Sequence, residues 1–179
     1  MVRAWRLVGD QLTDNPTSPD QSVSLDELAK LGVEYFQVDA DTREENDFYK
    51  NLKKERGYSY SDLITVSPDT LPNYEQKVKS FFEEHLHTDE EIRFILDGSG
   101  FFDVRDLDDN WIRIEVVKND LVILPAGIYH RFALDNKDYI RVTRLFVGEP
   151  VWTPHNRPSD DMQARRNYLE KLNIPNAVH

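Results

Sequence analysis

The chain has 179 residues, 39% of them hydrophobic and 11% aromatic, enough for one ordinary domain with a core of its own. Acidic residues number 33 against 22 basic ones, and the formal charge of −11 is spread along the chain, a field that repels phosphate backbones and argues against a nucleic-acid partner. Cysteine is absent, which excludes disulfides, iron–sulfur clusters and thiolate nucleophiles and leaves any metal to nitrogen and oxygen ligands.

The first residues, Met1-Val-Arg-Ala-Trp-Arg6, lack the apolar run of a secretory signal. No window approaches the roughly 20 apolar residues that span a bilayer. A soluble intracellular protein without membrane insertion is expected. Gln11 to Gln21, with two prolines among small polar residues, reads as a surface loop. Ser24 to Leu31 predicts a short helix, capped by Ser24, boxed by Glu27 and stopped at Gly32. A strand is expected over Val33–Val38, a charged helix over Thr42–Arg56 with Gly57 as its stop, and a strand over Asp62–Ser67. Pro72–Phe82 then carries Tyr74, Val78 and Phe81 on one helical face.

From Glu84 the texture changes. Strands are expected at 85–87, 91–96, 101–105, 111–117, 121–125, 129–134 and 139–147. Turn residues such as Asp97-Gly-Ser-Gly100 and Pro125-Ala-Gly127 break them. Regular short strands of this kind predict an antiparallel barrel or jelly roll. Pro158–Leu172 reads as a helix packed outside it. The fold class is mainly β, a single domain with helical additions over 24–82, a barrel core over about 84–150 and a C-terminal helix over about 158–172.

The chemistry concentrates in His85-Leu-His-Thr-Asp-Glu-Glu91. Side chains alternate across a strand, so His85 and His87 share a face, and Glu91 keeps the same parity four residues on. Two imidazoles and a carboxylate on one face form a set favoured by non-haem iron. Arg93 has that parity too, which aims a guanidinium at the metal's cavity and calls for an anion there. Further on, Asn119-Asp-Leu-Val-Ile-Leu-Pro-Ala-Gly-Ile-Tyr-His130 runs a buried strand into a tight turn that delivers His130.

These two stretches resemble the paired motifs of the cupin superfamily. The first motif is met by His85, His87, Glu91 and Gly98, the second by Pro125, Gly127 and His130. Asn119 stands where the second usually has glycine, a change a positive-φ turn tolerates. Leu134 stands where it usually ends in asparagine. Longer strings are similar to the acireductone dioxygenases of methionine salvage, eukaryotic type. They include Phe81-Phe-Glu-Glu-His-Leu-His87, Leu96-Asp-Gly-Ser-Gly-Phe-Phe-Asp-Val-Arg-Asp106, Leu124-Pro-Ala-Gly-Ile-Tyr-His-Arg-Phe132 and Arg144-Leu-Phe-Val-Gly-Glu-Pro-Val-Trp152.

The resemblance implies a cupin jelly-roll barrel and one Fe(II) or Ni(II) ion per chain on His85, His87, Glu91 and His130. It implies oxidation of 1,2-dihydroxy-3-keto-5-methylthiopentene by O2. The iron form then yields 4-methylthio-2-oxobutanoate and formate, and the nickel form 3-methylthiopropanoate, formate and carbon monoxide. Arg93 and Arg144 match residues of the family that face the substrate's charge. The structural alternative is a salt bridge, for Arg93 with Glu91 or Asp103. Phe81 and Phe132 are candidates to pack against the methylthio arm or the substrate plane, with core packing as the alternative. The family also implies a cytoplasmic and nuclear location, and the acidic surface leans toward a monomer. The competing readings are a catalytically silent cupin that binds or regulates, and another cupin dioxygenase. His155, in a polar loop, and His179, at the C-terminus, are not ligand candidates.

Overall fold

The computed structural model describes residues 3–8 and 21–177, with side chains described as far as residue 173. The loop expected over Gln11–Gln21 falls almost wholly outside the described residues, as does His179. Ten strands are present among the described residues, all pairing antiparallel: β1 (Arg3–Arg6), β2 (Glu34–Gln37), β3 (Tyr60–Val66), β4 (His85–Leu86), β5 (Glu91–Arg105), β6 (Trp111–Val117), β7 (Asp120–Leu124), β8 (His130–Leu134), β9 (Ile140–Phe146) and β10 (His155–Asn156). Four α-helices accompany them: α1 (Leu25–Lys30), α2 (Asp47–Arg56), α3 (Tyr74–Phe82) and α4 (Gln163–Ala177). None is long and apolar enough to cross a membrane.

The long strand β5 organises the barrel. Its first half lies between β7 and β9, which continue to β2 and β3. Its second half lies between β6 and β8, which lead to β1 and, through β4, to β10. The expectation of two strands separated by a turn at 97–100 is therefore corrected. Asp97-Gly-Ser-Gly100 bends one continuous strand from one layer into the other, with a register shift between Ile95 and Asp97. Gly98 has φ 77°, and a Cβ there would run into the carbonyl oxygen of Tyr139, so the bend needs glycine.

Alternation along β5 splits the core in two. Ile95, Phe102 and Val104 join Ile112, Ile114, Val122, Leu124, Ile140 and Val142 inside the barrel. Ile92, Phe94 and Leu96 point the other way, onto Tyr49 and Leu52 of α2. Phe94 is fully buried, its ring 5.0 Å from that of Tyr49, and truncating such a side chain costs about 3–5 kcal/mol.

Local signals explain the helix ends. Ser24 and Glu27 form the expected capping box at α1. The charged segment 42–56 is not one helix. A 3-10 turn at Arg43–Glu45 precedes α2, because the Asn46 side chain accepts from Tyr49 N and restarts the helix there. The C-terminal helix begins at Gln163, five residues later than expected, and continues past Leu172. His155 does not lie in a loop: it forms β10, paired with Leu86 of β4.

Candidate metal centre

β4 is two residues long, yet it fixes the centre. His85 faces His130 directly across the β4–β8 ladder. His87 lies just beyond the strand rather than on it, and its carbonyl is held by the N–H of Gly127 at 3.0 Å. Gly127 has φ 82°, and a Cβ there would meet the carbonyl oxygen of Ala164 at the start of α4. The Pro125-Ala-Gly turn thus joins the two histidine segments in one hydrogen bond. Asn119 adopts φ 82°, as expected for a residue in a glycine position, and its side-chain oxygen accepts from Ala40 N.

The ligating atoms of His85, His87 and His130 lie within 4.8 Å of one another. Each ring directs Nδ1 at a backbone carbonyl: His85 at Glu83 O (2.6 Å), His87 at Thr153 O (3.0 Å) and His130 at Ile128 O (3.0 Å). A carbonyl only accepts, so Nδ1 carries the proton and a neutral ring presents a bare Nε2. Burial, then the neighbouring His130, depresses His85 to about 4. Burial also lowers His87, against the pull of Glu91. Both rings are therefore neutral at pH 7 and able to ligate.

Glu91, the first residue of β5, brings Oε2 to 2.7 Å from His130 Nε2. Both atoms are buried and neither has a hydrogen-bond partner among the described residues. With the His130 ring neutral, two lone pairs face each other at that distance, an arrangement that a cation between or beside them relieves. Burial alone would push the Glu91 carboxyl up, but the Arg93 guanidinium beside it holds it well below the usual carboxylate range, so the acid is charged. Three imidazole nitrogens and a carboxylate oxygen suit a borderline divalent metal, and the residues present fit one.

A cavity of about 80 Å³ adjoins the cluster, lined by Glu91, Arg93 and Arg144 at its polar side and by Phe81, Phe132, Ile64, Val66, Phe102, Ile140 and Val142 elsewhere. Arg93 donates to Glu91 Oε1 at 2.8 Å. Of its two expected structural partners, Glu91 is the one it meets. Asp103 is taken by Arg113 and Arg131. Burial disfavours the Arg93 charge, with Glu91 the largest opposing influence. Arg144 is held by Asp62. The rings of Phe81 and Phe132 meet edge to face at 6.4 Å, so both line the cavity and pack on each other. His155 has no place in the cluster.

A family model described as the ARD/ARD′ family matches residues 5–154. The chain belongs to this family. Among its curated relatives, an acireductone dioxygenase of Ciona intestinalis is 64% identical, over 96% of this chain and 97% of that protein. One from Rattus norvegicus is 54% identical, over 96% and 98%. Among solved structures, an acireductone dioxygenase from Bacillus anthracis with a cadmium ion in its active centre superposes with a TM-score of 0.64 at 27% identity, covering 73% of this chain and 86% of that one. In this chain the barrel brings the two histidine segments together, through the His85–His130 pairing and the Gly127–His87 hydrogen bond.

Sequence reasoning missed two residues that hold the arginines of the cavity. Trp152 lies 4.3 Å from the Arg144 guanidinium and 5.4 Å from that of Arg93, a shared platform for both cations. Asp62, on β3, pairs with Arg144. Trp152 ends the string that begins at Arg144, a visible signal. Nothing at Asp62 announces a partner 82 residues away.

Proposed function

We infer that this chain is an acireductone dioxygenase that holds one Fe(II) or Ni(II) ion on His85, His87, His130 and Glu91. The observation that carries the reading is the pair of facing, unpartnered lone pairs on Glu91 and His130 inside the histidine cluster, at the edge of a cavity bearing two guanidiniums. When bound, such an ion supplies a Lewis acid and a template for an electron-rich enediolate.

The chain's own residues do the rest. The backbone carbonyls of Glu83, Thr153 and Ile128 hold the three imidazoles in the ligating tautomer. Arg93 and Arg144 place fixed positive charge where the acireductone carries its negative charge. Trp152 limits the swing of both arginines. Phe81, Phe132 and the aliphatic wall take the methylthio arm and keep water from the reacting carbons.

The test is reconstitution of metal-free protein. With Fe(II), oxygen uptake on acireductone should release formate and 4-methylthio-2-oxobutanoate without carbon monoxide. With Ni(II), the same preparation should release carbon monoxide, formate and 3-methylthiopropanoate. Identical products from both forms would mean that pocket residues set the regiochemistry. No oxygen uptake from either, at full metal occupancy, would favour a silent binding protein. His87→Ala should keep the fold and lose most of the metal by elemental analysis.

A further inference from the structure

Arg144 is one member of a row. Across three antiparallel strands, Asp62 on β3 faces Arg144 on β9, and Arg144 faces Arg93 on β5. Like charges directly opposite on a ladder repel, and here each cation has its own carboxylate. Arg93 gives one hydrogen bond to Glu91. Arg144 gives two to Asp62, Nε to Oδ1 at 2.8 Å and Nη2 to Oδ2 at 2.7 Å. The Tyr60 hydroxyl donates to Oδ2 of the same carboxylate at 2.8 Å. One edge of the Arg144 fork is therefore occupied, the Trp152 ring lies against it, and Nη1 has no hydrogen-bond partner among the described residues. Arg144 is at the same time part of the cavity wall.

We propose that Asp62 is a positioning residue for the dioxygenase reaction, locking Arg144 by its Nε–Nη2 edge so that Nη1 is presented to the anionic oxygens of the substrate. The inference rests on the function proposed above. It also accounts for the charge of the site. A divalent ion with Arg93 and Arg144, set against Glu91 and Asp62, leaves two positive charges in excess, the complement of an enediolate dianion. Without Asp62 the excess would be three, and Arg144 would be free to swing toward Glu91.

Asp62→Asn, Arg144→Ala and the double variant, each loaded with Fe(II), test this by steady-state kinetics and by anaerobic titration with acireductone, which reads binding without turnover. Asp62→Asn should lower kcat by about ten- to a hundredfold, the scale of a misplaced reacting geometry. Anaerobic Kd should hold or tighten, since a negative charge has gone. On the Arg144→Ala background the same substitution should cost nothing further. Tyr60→Phe, which removes one bond to Asp62 and no charge, should give a smaller loss of kcat and keeps the idea testable if Asp62→Asn folds poorly. Undiminished kcat in Asp62→Asn, or an equal loss on both backgrounds, would overturn the role and leave Asp62 as a strand-pairing residue. An inactive wild-type protein sinks the proposed function itself, whereas an active wild type with an indifferent Asp62→Asn sinks only this inference.

Discussion

β5 carries a largely buried carboxylate at its start, Glu91, and a fully buried one near its end, Asp103, and their surroundings differ in one respect. Both oxygens of Asp103 are used: Arg113 donates through Nε and Nη2, and Arg131 donates through Nε, each at 2.8 Å. The guanidiniums in turn lie over aromatic rings, Arg113 on Phe101 and Arg131 on Phe82 and Trp111. That cluster is complete within the chain. Glu91 is completed on one side only, by Arg93, while its other oxygen faces an imidazole lone pair. A buried charge that its own chain satisfies is architecture. One left half-satisfied beside histidines marks where a ligand belongs.

Substitutions at the two carboxylates should separate fold from function. The largest effect on stability is expected from Asp103→Ala, which removes the shared counter-charge of two largely buried guanidiniums. Breaking such a group costs about 3–5 kcal/mol, readable by denaturation of the metal-free protein. A cost under about 1 kcal/mol, the range of an exposed pair, would break the comparison.

At the other end, Glu91→Gln keeps an oxygen for Arg93 and removes the charge beside His130. Its effect should fall on the metal, with affinity lowered by no less than the ~10–100-fold that loss of a supporting partner costs. Metal stoichiometry by elemental analysis checks it, together with a denaturation midpoint that moves less than that of Asp103→Ala.

Arg93→Lys sharpens the same contrast. The charge survives but the planar fork does not, so metal content should hold while kcat falls about ten- to a hundredfold. Unchanged turnover in that variant would reassign Arg93 to ion pairing with Glu91.

The smallest expected effect concerns Asp62. The hydrogen bonds from Arg144 hold its carboxyl below the usual value of 3.8 despite partial burial. A folded-state pKa below the unfolded one gives stability that is present above pH 3.8 and lost as pH falls through the lower folded value. The gap between wild type and Asp62→Asn should therefore be constant at neutral and mildly acidic pH and close only below that value. Because the pair is partly exposed, the gap should be about 1 kcal/mol or less. Denaturation curves at pH 7 and at strongly acid pH measure it.

The histidine centre was legible because its information is local. The close spacing of His85 and His87, the glycine turn before His130 and the capping box at Ser24 each follow from residues within a few positions of one another, although His87 lies past the end of the strand on which alternation places it. The positive φ of Asn119 belongs to the same class. The cavity's second half was less so. Arg144 could be singled out, but whether its counter-charge lay nearby or far off depended on which strand came to lie beside β9.

The strand and turn pattern predicted an antiparallel barrel or jelly roll, and the resemblance to the two motifs implied that His85, His87, Glu91 and His130 come together. Strand parity put Arg93 on the face of Glu91, since parity and turn chemistry are short-range properties. Only the tertiary structure decided that 91–105 is one bent strand, that His87 is steadied through Gly127, and that Trp152 and Asp62 bracket Arg144. Those features arise from contacts between segments far apart in sequence. Register across β3, β9 and β5 sets them, and register is chosen by how the whole barrel buries its apolar faces.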